Sequence, residues 1–131
     1  MASGLYKPTI DAQFKAGPIN WATADIRAVL VDVADYTVDL TNHNFLDDVA
    51  SGARVGTPVA LSSKTFTAGV FDAADTTLTS VTGDACEAII LFVHTGSDAT
   101  AQLLAYIDGF TVTPNGNDIT ITWDTNIFAV G

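Results

Sequence analysis

The sequence predicts an all-β domain: an antiparallel β-sandwich or jelly-roll-like fold of seven or eight strands, with one short N-terminal helix. Three apolar runs rich in β-branched or aromatic residues lie in the second half of the chain, at Cys86–His94, Thr100–Asp108 and Asp118–Asp124. Two turn sequences, Thr95–Asp98 and Pro114–Asn117, separate these runs. Short strands joined by such turns are typical of an antiparallel meander.

Residues 1–20 differ in composition from the rest and are expected to form an arm of a single β domain that spans 1–131. Ile10 and Phe14 are four residues apart, which would place both on one face of a helix around Thr9–Ala16. The Gly-Pro pair at 17–18 would end that helix. An apolar arm offers a partner a surface to hold. The candidate attachment residues are Leu5, Tyr6, Ile10 and Phe14.

The first strands follow this arm. Asp25–Ala34 is apolar on both faces, so both faces should be covered. Asp35–Asp48 is a polar loop in which Asn44–Val49 can form a helical turn. Ala53–Leu61 is a strand that Pro58 restricts to a sheet edge or a bulge, because proline lacks the amide hydrogen of a ladder.

The later strands are shorter. Lys64–Phe71 and Thr76–Thr82 are predicted strands, joined by a turn at Asp72–Asp75. In the run at Asp118–Asp124, strict alternation points Ile119, Ile121 and Trp123 inward. The segment Ile127–Val130 closes the chain as a last short strand.

Composition limits the possible partners. Fifteen acidic and five basic residues give a net charge of −10, and the bases are scattered, so we expect no direct binding of nucleic acid. Charged residues make up only 15% of the chain and hydrophobic residues 48%. Such low charge content fits a homo-oligomer, most simply a trimer, with apolar surface buried between copies. It also fits a well-filled sandwich with an uncharged polar surface.

The single cysteine, Cys86, excludes an intramolecular disulfide and a cysteine-based zinc site. The first residues lack the basic flank and apolar stretch of a signal peptide, and no run approaches the roughly 20 apolar residues of a membrane span. We therefore expect no membrane association, and synthesis and retention in a cytoplasm at least until assembly or lysis.

Reactive groups are few, and the sequence predicts neither an enzyme nor a bound cofactor or metal. His43 and His94 are the obvious general-base candidates, and neither belongs to a nucleophile motif. The carboxylate pair Asp84 and Glu87 lacks the aromatic platform of a glycoside-hydrolase cleft, because Trp21 and Trp123 are far apart in sequence. A sugar-binding surface stays open as an alternative.

Three groups of aspartates have the spacing at which loop carboxylates can hold Ca²⁺, although none has the EF-hand pattern. Aspartate is equally common in turns, where it binds its own backbone. The three groups are Asp32/Asp35/Asp39, Asp47/Asp48 and Asp72/Asp75.

Taken in order, several segments resemble a group of small structural proteins of tailed bacteriophages. The resemblance covers roughly residues 5–128. The segments that carry it are 17–21 (GPINW), 25–32 (DIRAVLVD), 34–39 (ADYTVD), 43–49 (HNFLDDV), 51–55 (SGARV), 70–75 (VFDAAD), 103–108 (LLAYID) and 114–119 (PNGNDI).

The resemblance implies a non-enzymatic virion building block. A small acidic β protein on a phage head resembles a decoration, or cement, protein, which forms trimers over capsomer junctions and braces the shell. Its partners would be other copies of itself and the major capsid protein, and its location the capsid surface. The alternatives are a tail adaptor, tail tube or fibre component bound to tail proteins, and a receptor- or glycan-binding module that uses loops such as Asp35–Asp48.

Overall fold

The computed structural model describes residues 4–5, 24–67, 70–123 and 128–129. Within them the chain forms an all-β fold of antiparallel strands, and its only helices there are two single-turn 3-10 helices. The strands are β1 (Gly4–Leu5), β2 (Ile26–Val31), β3 (Arg54–Ala60), β4 (Thr65–Thr67), β5 (Val70–Asp72), β6 (Thr76–Leu78), β7 (Cys86–Val93), β8 (Leu103–Val112), β9 (Ile119–Ile121) and β10 (Phe128–Ala129). No helix in this part of the chain has the length and apolar character needed to cross a membrane.

The strands form three sheets: a five-stranded sheet in the order β1-β8-β7-β2-β3, a three-stranded sheet β10-β5-β4, and the pair β6-β9. The all-β antiparallel prediction is confirmed. The ten strand segments and three sheets of the described residues do not confirm a sandwich of seven or eight strands. The predicted helix at Thr9–Ala16 lies outside the described residues.

Strands β2 and β7 occupy the centre of the large sheet, as their doubly apolar sequences predict. They pair antiparallel over six residues, with Val29 opposite Ile90. Alternate side chains point to opposite faces of a strand, so each strand contributes to two separate cores. Ile26, Ala28 and Leu30 lie in one core, and Val29 and Val31 lie in the other.

The chain itself covers both faces of this sheet. Leu78 of β6 and Ile119 and Ile121 of β9 pack over one face, and Trp123 belongs to the same core. Over the other lies the segment between β2 and β3, which contributes the buried residues Tyr36, Leu46, Val49 and Ala53. This segment contains the 3-10 helices Leu46–Asp48 and Ser51–Ala53, so the helical turn predicted at Asn44–Val49 is confirmed.

Strand β3 is the edge next to β2, as Pro58 predicts. Its pairing contains a bulge: Ala28 is opposite Val59 and Leu30 is opposite Val55, so three residues of β3 face Val29. Gly56 lies in this bulge with φ +78°, a conformation that other residues rarely adopt.

Two predictions of strand pairing are wrong. The third strand of the expected meander, β9, pairs with β6 and not with β8. The segment predicted as one strand, Lys64–Phe71, instead contains most of the hairpin of β4 and β5, in which Thr67 is opposite Val70. Both errors concern which segment is the neighbour, a choice made by long-range packing that strand periodicity does not encode.

Other strand ends are shifted. The run Thr100–Asp108 was expected to end at Asp108, but β8 continues to Val112. The run Thr76–Thr82 ends early, at Leu78, because Val81 instead binds the turn before β9: its amide donates to Asn117 O, and its carbonyl accepts from the amide of Gly116. The last strand, predicted at Ile127–Val130, is present as β10.

Candidate functional site

A groove lies beside the far end of β8. It has a volume of about 590 Å³. Its lining residues are Val33, Glu87, Tyr106, Asp108, Gly109, Phe110 and Thr111.

A bulge in β8 shapes the groove. Cys86 is opposite Val112 and Ala88 is opposite Asp108, so Glu87 of β7 faces three residues of β8. The first of these three, Gly109, has φ +97°, which glycine adopts without strain. Bulges turn a strand and re-aim its side chains, and they are common beside binding sites. A glycine inside an apolar strand is a signal for such a bulge, but periodicity alone did not locate the groove.

Three aspartates from the segments that follow β2 and precede β7 form an acidic cluster. One carboxylate oxygen each of Asp32, Asp35 and Asp84 lies within 4.8 Å of the others. Glu87, which lines the groove, accepts a hydrogen bond at its Oε1 from the amide of Val33, the residue after Asp32, at 3.2 Å. Asp32 is largely buried and accepts a hydrogen bond from the Ala34 amide, whereas Asp35 and Asp84 are exposed.

This cluster differs from the predicted aspartate group Asp32/Asp35/Asp39. Asp84 comes from the segment before β7 and takes the place expected for Asp39. Asp39 instead accepts hydrogen bonds from the amides of Thr41 and Asn42 and from the Asn42 side chain, and these bonds lower its pKa. Sequence spacing could not reveal Asp84, because the contact joins two distant segments.

In each of the other two predicted aspartate groups, Asp47/Asp48 and Asp72/Asp75, one aspartate accepts hydrogen bonds from backbone amides. Asp48 accepts hydrogen bonds from the amides of Asn44 and Phe45, and thus closes the turn before the first 3-10 helix. Asp75 accepts a hydrogen bond from the Trp123 amide at 3.2 Å. The Asp48 contacts are of the kind that makes aspartate common in turns, whereas the Asp75 contact joins two distant segments.

The carboxylates affect neighbouring groups. Burial raises the pKa of the Cys86 thiol to about 11, and the charges of Glu87, Asp32 and Asp84 add to the increase. Burial also raises the pKa of Tyr106, with further contributions from Asp108 and Glu87. Burial is the larger cause in both cases, and the carboxylates add a smaller increase.

Two of the reactive side chains, those of His43 and Cys86, are held in structural positions. The Nδ1 atom of His43 is 2.8 Å from the Tyr36 hydroxyl, and its ring packs against that tyrosine. The backbone amide of His94 donates to Asp25 O at the end of β7. Cys86 is a buried free thiol whose raised pKa disfavours the nucleophilic thiolate.

Trp123 is a core residue, as the sequence predicts. It is 8% exposed, and its Nε1 donates to Thr76 Oγ1 at 3.0 Å. This buried position removes Trp123 as a sugar-stacking platform. Trp21 lies outside the described residues.

One candidate attachment residue falls in the sheet. Leu5 belongs to β1, where it pairs with Ala105 while Gly4 pairs with Tyr106. The N-terminal segment thus adds a short strand to the outer edge of β8. The other three candidates, Tyr6, Ile10 and Phe14, lie outside the described residues.

No model of a protein family matches the chain, and no curated protein shows significant similarity to it.

Proposed function

We propose that this chain is a non-enzymatic structural protein of a tailed-phage virion, and that it decorates the capsid surface and braces the shell. The observation that carries the proposal is the central sheet, whose two faces are filled by the chain's own residues. Contacts with other proteins are then left to strand edges, loops and the acidic groove, as suits a module that attaches to an existing assembly. The segment pattern that resembles phage structural proteins supports the same assignment.

A non-enzymatic role is consistent with the state of the reactive groups. The ring nitrogen of His43 is engaged by Tyr36, and Cys86 is buried as a thiol. We expect alanine replacement of His43, His94 and Cys86 to leave particle assembly intact. Loss of a measurable hydrolytic activity in these variants would show that the chain is an enzyme.

We further propose that the fold closes as a sandwich and that the protein works as a homotrimer. The pair β6-β9 packs over one face of the large sheet and would provide its second layer. Because the doubly apolar strands are covered within one chain, the subunit contacts would use loops and sheet edges. Light scattering that shows only a monomer at high concentration would refute a trimer that forms without the shell.

Attachment to the shell is assigned to the N-terminal segment. Deleting residues 1–16 would also remove β1, which pairs with β8, so point substitutions are the sharper test. A variant with Tyr6→Ala, Ile10→Ala and Phe14→Ala should lose binding to empty heads and keep the circular dichroism of the β fold. Decoration of heads by this variant at wild-type occupancy would exclude the segment as the attachment element.

Copy number separates the head from the tail. A decoration protein is present in roughly hundreds of copies per particle, because a shell repeats its capsomers, whereas an adaptor, tube or fibre component follows the lower symmetry of the tail. Quantitative mass spectrometry of purified virions measures this ratio. A few to tens of copies would replace the decoration assignment by the tail alternative, and absence from virions would refute both.

A further inference from the structure

The turn before β9 contains the one Asn-Gly pair of the sequence, at Asn115 and Gly116. Both residues are exposed, and Gly116 has φ +88°, a conformation that suits glycine. An asparagine that precedes a glycine is especially prone to deamidation, because the absent side chain lets the backbone nitrogen approach the asparagine amide. The turn therefore presents a chemically reactive pair to solvent.

Two hydrogen bonds hold the reacting groups in this turn. The Gly116 amide, whose nitrogen is the nucleophile of deamidation, donates to Val81 O at 2.7 Å. The Asn115 side chain accepts at Oδ1 from the Asn117 amide at 3.1 Å, which restricts the rotation that ring closure needs. Val81 is buried in the same core as Leu78, so its carbonyl is fixed in place. The folded turn thus opposes a reaction that its sequence favours.

We propose that Asn115 is a deamidation site under conformational control, at which the reaction proceeds when the turn detaches from Val81. The Gly116 nitrogen then loses its proton to solvent base and attacks Cγ of Asn115. The bond from Cγ to Nδ2 breaks, and the side-chain amide takes up a proton and leaves as ammonia. Water opens the resulting cyclic imide. Cleavage between Gly116 N and Cγ gives aspartate, and cleavage between Gly116 N and the Asn115 carbonyl carbon gives isoaspartate.

The isoaspartate product loosens this end of the smaller sheet. Its backbone runs through Cγ and is longer by a methylene, so we expect the Gly116 amide and the Asn117 carbonyl to lose their paired bonds to Val81. Either product adds a negative charge to a chain whose net charge is already −10. The ammonia is lost to solvent, so modified chains accumulate with time.

The test measures the rate at which Asn115 is lost at mildly alkaline pH, by peptide mapping with mass spectrometry. The full chain is compared with a free peptide that spans 111–121. The opening variant is Asp118→Ala, which removes the acceptor that the Ser80 amide binds at 2.9 Å and so weakens the attachment of the turn. The control is Asp47→Ala, which removes an equal charge from an exposed position elsewhere. A peptide with Asp118→Ala gives the intrinsic rate of the altered sequence.

The peptide should lose Asn115 at least roughly tenfold faster than the full chain, since a hydrogen-bonded turn is open for only part of the time. Asp118→Ala should react severalfold faster than the wild type. Asp47→Ala should match the wild type, and the two peptides should match each other. Amide hydrogen exchange at Gly116 should rise in the opening variant, because detachment exposes the same nitrogen. Circular dichroism checks that all variants are folded.

Several results would overturn the inference. Equal rates in the full chain and the peptide would exclude protection by the fold. Urea below the unfolding transition opens the turn without any substitution, and a deamidation rate that does not follow Gly116 exchange there would exclude control by detachment. After ageing, chains with isoaspartate at 115 should lose free energy of unfolding, whereas aged Asn115→Ser, which cannot form the imide, should not. Unchanged stability of the isoaspartate chains would refute the structural consequence.

Discussion

Replacing Thr76 by valine tests how the smaller sheet is fixed to the core. Thr76 is 4% exposed, and its Oγ1 is the acceptor for Trp123 Nε1 at 3.0 Å. Valine has nearly the same shape, so the substitution removes the acceptor and leaves the indole N–H buried without that partner. Such an unsatisfied donor costs about 1–3 kcal/mol. We expect the free energy of unfolding to fall by about 2 kcal/mol, and the melting temperature by about 8 °C.

The assay is urea unfolding followed by far-ultraviolet circular dichroism, with tryptophan fluorescence as a second probe. The control is Thr77→Val in the same strand, where an exposed hydroxyl lies 3.2 Å from Thr120 Oγ1, and we expect a change within about 0.5 kcal/mol. In a Trp123→Phe background, which lacks the indole donor, Thr76→Val should cost much less than in the wild type. The reasoning would be refuted if Thr76→Val unfolded within about 0.5 kcal/mol of the wild type. It would also be refuted if the substitution cost as much free energy of unfolding in the Trp123→Phe background as in the wild type.

Three further predictions follow from the described residues. Gly56→Ala should lower the free energy of unfolding by more than Gly96→Ala in urea titrations, because both have positive φ but a Cβ at Gly56 would lie 3.2 Å from Val81 Cγ1, whereas Gly96 has open space. Leu30→Ala should cost about 2–5 kcal/mol in the same assay, since Leu30 is 1% exposed between two strands. The pKa of the Cys86 thiol is about 11 in the folded state and 9.0 as its ordinary value, so the folded state holds the proton more tightly. The stability that this protonation contributes is therefore complete below pH 9 and is lost as the pH rises towards 11. The loss is about 1 kcal/mol at pH 10, and Cys86→Ala should flatten that part of the stability profile.

The central strands could be predicted because their sequences carry an unusual signal. Residues of β2 and β7 are apolar on both faces, which is expected only for strands buried on both sides, and the structure places them there. Pro58 likewise restricted β3 to an edge or a bulge, and the structure shows both. Both restrictions follow from the side chains of the strand itself and do not depend on which other segments pack against it.

The pairing of β9 and the composition of the acidic cluster could not be predicted in the same way. Alternation in β9 predicted a strand but not its partner, which depends on the turn at Gly116 and Asn117 binding Val81. The carboxylates of Asp32 and Asp84 meet only because β2 and β7 are neighbours. Loop spacing favoured Asp39, which the backbone of its own turn engages instead.

The pairing of β2 with β7 has a consequence for biosynthesis. Val31 of β2 pairs with Ala88 of β7, which is far along the sequence, whereas β7 and β8 are close in sequence and joined by one loop. Contacts between distant segments slow folding, so we expect the β7-β8 hairpin to form first and β2 to join it later. Until β7 leaves the ribosome, the edge of β2 that pairs with β7 has no partner strand, and an unpaired apolar strand edge is prone to aggregate. Chains truncated before Cys86 should therefore accumulate as inclusion bodies, while the full-length chain should fold once its last strands have been made.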